Sequence, residues 1–130
     1  MHLDDSQYNQ ALHDCYHQLP TPQPGKNSNG HDKIGTWFTV AKLNAAMLQA
    51  KISLGENDTI QGAEHAKEGL DSGFGPAYAS AKSRPELAQA VKNFYLAATN
   101  YFRHANRTSQ SSMESAADKL EMELNLAHRN

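Results

Sequence analysis

The side chains best suited to chemistry stand close together in His13-Asp14-Cys15-Tyr16-His17. Imidazole and thiolate are good zinc ligands, and His13 and His17, four positions apart, share one face of a helix, as a two-histidine site requires. Cys15, however, falls on the opposite, apolar stripe with Leu12 and Leu19, so a single ion cannot take all three from a regular helix. The glutamate that completes a catalytic zinc helix is also missing. The expectation is two solvated histidines and a small core cysteine, with no metal. As a nucleophile Cys15 would need a lowered thiol pKa and an open approach, and an apolar stripe offers neither. Paired carboxylates are not evident either: Glu121 and Glu123 fall on different helical faces, and Glu64 with Glu68 reads as a solvated edge beside Lys67. Gly73-Phe74-Gly75 lacks both the preceding strand and the downstream Lys-Ser/Thr of a phosphate loop. Arg103, His104 and Arg107 suit the negative end of a helix dipole, and Tyr95 with Tyr101 reads as packing. No catalytic residue and no cofactor are expected.

One histidine has a different setting. In Ala63-Glu64-His65-Ala66-Lys67-Glu68-Gly69-Leu70, His65 projects away from the apolar face and Gly69 lies four residues on, nearly on the same side. This segment resembles the phosphoacceptor site of histidine phosphotransfer domains, four-helix bundles in which an exposed histidine is followed by Lys at the third position and Gly at the fourth. The resemblance covers about five residues and implies His65 as an alternative phosphoacceptor. It departs from the pattern at Glu68, where an acid stands in place of the cation that would favour a phosphoryl group.

Helices must position all of these residues. Eighteen Ala and twelve Leu stand against two Val and three Ile, and Ala and Leu lose little side-chain entropy in a helix whereas β-branched residues favour strands. Apolar stripes at four-three spacing, with their caps, predict an antiparallel bundle of four to five helices over about 4–19, 33–54, 58–70, 84–106 and 111–128. The first carries Tyr8, Leu12, Cys15 and Leu19. The Pro-, Gly- and Asn-rich stretch 20–31 is expected to be a mobile loop within a single domain, 1–130. Gly73, Gly75 and Pro76 predict a break over 71–83, with at most one turn around Ala77 to Lys82. Asp58 with Gln61, Ser83 with Glu86 and Ser111 with Glu114 read as capping boxes.

The 33–54 segment has two apolar faces. Ile34, Trp37, Phe38, Ala41, Ala45, Leu48 and Ile52 form one; Val40, Leu43, Met47, Ala50 and Leu54 form the other, again at heptad spacing. A helix covered on one side only would be polar at Leu43 and Met47, so either the first helix covers this second face within the fold or a second subunit or partner does. Met122 and Leu126 likewise lie opposite the main stripe of the last helix. Two spare faces predict an oligomer or a protein partner, with a contact surface of Val40, Leu43, Met47, Ala50, Leu54, Met122 and Leu126.

Bulk properties narrow the partner. A net charge of −2, with twelve bases scattered among fourteen acids, argues against nucleic acid and membrane surfaces. One cysteine cannot form an internal disulfide. Asp4 and Asp5 stand where a signal peptide would be basic, so the cytoplasm is expected. The reading is a small helical-bundle adaptor or regulator, a homodimer or partner-binding module rather than an enzyme.

Overall fold

The Ala- and Leu-rich stripes do become helices. In the computed structural model, which describes residues 32–129, they form α1 (Asp32–Leu54), α2 (Thr59–Ala81), α3 (Pro85–Arg103) and α4 (Arg107–Arg129). The architecture is an all-α helical bundle with no strand among the described residues. Packing follows chain order, α1 on α2, α2 on α3 and α3 on α4, and α1 also touches α3. The expected 4–19 helix and the 20–31 loop lie outside the described residues.

The core is built from the stripes of α3 and α4. Leu87, Val91, Phe94, Ala98 and Tyr101 are buried on the former, and Met113, Ala117, Leu120, Leu124 and Ala127 on the latter. From α1 come Ile34, Trp37, Phe38, Ala41, Ala45 and Leu48. Phe94 is the hub: the rings of Phe38 and Trp37 meet it edge-on at 4.9 and 5.6 Å between centroids, a geometry that sets the positive edge of one ring against the negative face of the other.

Where α1 stops, the reason is local. Gly55 adopts φ 71, and the N–H groups of Gly55 and Glu56 donate back to the carbonyls of Ile52 and Lys51, both at 3.1 Å. This is the Schellman arrangement, which needs a left-handed residue just past the helix end.

The expected break over 71–83 is overturned: α2 runs unbroken from Thr59 to Ala81, not 58–70, with Pro76 inside it. Glycine and proline weaken a helix by about 1 and 3 kcal/mol each, so tertiary contacts must offset them. Ala77 and Ala81 are fully buried, Phe74 stacks on Tyr95 at 4.0 Å, and the Trp37 indole donates to the Leu70 carbonyl at 2.8 Å. Gly73 is needed for that approach, because a Cβ there would sit 2.5 Å from Cδ1 of Trp37.

The caps also differ from expectation. Asp58 and the start of α3 make no side-chain capping bond; Asp58 is drawn instead to Lys51 at 2.8 Å, and Arg84 rather than Ser83 is the residue before α3. The last helix begins at Arg107, one turn before the expected 111, because Asn106 and Ser109 cap it reciprocally. The Ser109 N–H donates to Asn106 Oδ1 at 2.8 Å, and the Asn106 N–H donates to Ser109 Oγ at 3.0 Å. Accordingly α3 ends at Arg103, not 106, and Ala105 is exposed rather than part of its stripe. At 19 residues α3 is shorter than the 23-residue α1 and α2. Ile52 and Ile60, in the turns flanking the α1–α2 connection, are therefore left exposed, Ile60 at 73%.

Candidate functional site

The flanks of α1 and α4, beside their second apolar faces, touch at one point. Lys42 Nζ lies 3.9 Å from Glu121 Oε2, and its ammonium also sits 5.1 Å from the centroid of the Phe38 ring. The pair is mostly covered on the lysine side, where the aliphatic stem lies along the bundle. Leu43 and Met122 each follow a member of this pair, about 100° further round their helices from the core. Leu43 and Met122 thus border this contact, whereas Val40, about 200° round α1 from Lys42, lies on the opposite flank beside α2.

On α1, Val40 is exposed at 47%, Leu43, Met47 and Leu54 are half-buried, and Ala50 is buried at 1%. Across the seam, Met122 and Leu126 are exposed at 46% and 43% and, with Asp118, Glu121 and Asn125, border a shallow hollow of about 350 Å³. The patch is therefore apolar at its centre and bordered by two carboxylates and an amide. The spare apolar positions were visible in the sequence. The Lys42–Glu121 seam that relates them was not, since it depends on how α1 and α4 are brought together through the bundle.

His65 is exposed on α2, as are Glu68 and Gly69, and a Cβ on Gly69 would meet nothing within 4 Å. Lys67, the nearest cation in sequence, is committed elsewhere. It pairs with Asp71 at 2.6 Å, and the Tyr95 hydroxyl donates to the other Asp71 oxygen at 2.8 Å. The Lys67 hydrogen bond, joined by that of Tyr95, holds the Asp71 carboxyl below its ordinary value, while the same bond to Asp71 pushes the Tyr95 hydroxyl up. This chain of contacts ties α2 to α3 and is structural in character. Arg103 occupies the last turn of α3 and His104 caps it, but Arg107 opens α4 instead of sharing the α3 terminus.

His13, Cys15 and His17 lie outside the described residues. Among the described residues, no group of three or more His, Cys, Asp or Glu side chains is placed to hold a metal ion, and no helix is long and apolar enough to cross a membrane. No known protein family, curated protein or solved structure matches this chain.

Proposed function

We propose that this chain is a small cytoplasmic interaction protein, an adaptor or regulator that works as a homodimer through the outer faces of α1 and α4, without catalysis or a cofactor. The observation that carries this reading is the apolar outer face of α4, with Met122 and Leu126 open to solvent beside the Lys42–Glu121 contact. Methionine and leucine at helical spacing suit helix-on-helix contacts, because the unbranched thioether adapts to an irregular partner. Across a two-fold axis the same patch would meet itself, which is how most homodimers are built.

Light scattering coupled to size exclusion tests it. The wild type is expected at twice the chain mass at micromolar concentration, and a Met122→Asp, Leu126→Asp variant at the chain mass with unchanged helicity. A wild type that stays monomeric across the accessible range removes the reading.

The exposure of His65 beside an open Gly69 favours one second reading, phosphotransfer through His65. Incubation with acetyl phosphate followed by intact-mass measurement distinguishes it: an acid-labile phosphoryl adduct absent from His65→Gln supports it, and an unmodified wild type ends it.

A further inference from the structure

A groove of about 440 Å³ lies between α1 and α2, its walls formed by Trp37, Val40, Leu70, Gly69, Gly73 and Pro76. The volume is in the range of small-molecule sites, which are apolar hollows carrying a few polar groups that orient the ligand. Among the described residues, the polar groups here are few. The Trp37 N–H is already spent on the Leu70 carbonyl at 2.8 Å. What remains at the rim is the Lys33 ammonium, which makes no ion pair among the described residues, and the Thr36 hydroxyl. Among the described residues, no acidic side chain lines the groove.

We propose that this groove binds one small hydrophobic carboxylate, an alkyl or aryl acid, with its apolar part against Trp37 and Leu70 and its carboxylate at Lys33 and Thr36. Water in such a groove finds too few hydrogen-bonding partners to be held well, so an apolar group displaces it favourably. A sugar or nucleotide would leave most of its polar atoms unpaired there, at a cost that excludes it. The positive charge of Lys33, with no opposing acid among the described lining residues, selects an anion over a cation. Two glycines shape the space for different reasons. Gly73 lets the indole approach α2, whereas the protein's own packing does not require glycine at 69, where a Cβ would meet nothing within 4 Å. A larger side chain at 69 would project into the groove.

This site stands apart from the α1–α4 contact surface, which it borders only through Val40, and its test does not depend on oligomeric state. Trp37 is the chain's single tryptophan, so its emission reports on the groove directly. Titration with octanoate is expected to shift that emission saturably, with one molecule bound per chain by calorimetry. Gly69→Leu is expected to abolish the response while holding or raising the melting temperature, since a glycine has been replaced within a helix. Lys33→Gln should weaken octanoate up to about fivefold, the range for a solvent-exposed ion pair, and leave 1-octanol unaffected. A linear, non-saturating response, octanoate binding that survives Gly69→Leu, or equal affinity for octanoate in wild type and Lys33→Gln would each overturn the proposal.

Discussion

Gly73 and Gly75 sit two positions apart in the same helix and should respond oppositely to the same substitution. At Gly75 a Cβ meets nothing within 4 Å, so Gly75→Ala gains the helix-propensity difference, up to about 1 kcal/mol. At Gly73 the new atom would stand 2.5 Å from Trp37 Cδ1. The indole is pinned by its hydrogen bond to Leu70 and by its edge-on contact with Phe94, so it cannot simply turn aside. Overpacking of this kind costs about 1–3 kcal/mol, which outweighs the propensity gain. Urea midpoints at constant m-value are expected to rise for Gly75→Ala and fall for Gly73→Ala. A second residue governs the alkaline limit. Burial removes water from the Tyr101 hydroxyl and, aided by Glu114, pushes it up to about 12 from 10.0. The unfolded chain therefore loses this proton first, and the stabilisation is whole below pH 10 and declines as pH rises toward 12. The loss amounts to roughly 3 kcal/mol at most. Tyr101→Phe should flatten that decline; a variant with the wild-type slope between pH 10 and 12 would show that the decline comes from other groups.

Among the elements, the start of α4 separates what the sequence suggests from what the fold requires. Ser111 with Glu114 has the spacing of a capping box, but Asn106 and Ser109 hold the helix end, and Ser109 also donates to the His104 carbonyl at 2.7 Å. Asn106→Ala is expected to cost about 1 kcal/mol, the usual worth of an N-cap, whereas Ser111→Ala, on an exposed surface within the helix, should be nearly neutral. Thermal melts of the two variants decide between the two starts. The stripes of α3 and α4 were legible because a 3.6-residue period records one-sided burial directly. The continuity of α2 was not, because Gly73 and Pro76 signal a break locally while the contacts that override it come from Trp37 on α1 and Tyr95 on α3. Asp58 was misread as a cap for a similar reason: Lys51, on the preceding helix, competes for its carboxylate. The candidate surface was legible to the same degree. Its apolar positions follow from the helical wheel, whereas the burial of Ala50 and the meeting of Lys42 with Glu121 are tertiary facts that no local pattern carries.

At the scale of the whole molecule, the bundle covers one face of α4 thoroughly and leaves Met122 and Leu126 outside it, while Leu43 and Met47 on α1 are partly covered. One exposed leucine needs no explanation, but Met122 and Leu126 exposed together on the outer face of one helix are what a second copy would cover under the proposed function. If that copy binds the folded chain and not the unfolded one, mass action couples stability to concentration. Raising the wild-type concentration a hundredfold should then lift its melting temperature on the order of 5 °C, given the unfolding entropy of a chain this size. Met122→Asp with Leu126→Asp should remove the dependence without lowering the melting temperature measured at high dilution, because neither side chain belongs to the core. This separates an interface from a merely exposed surface: a structural role for the two residues would lower the dilute value, while a surface with no partner would leave the wild type as indifferent to concentration as the variant.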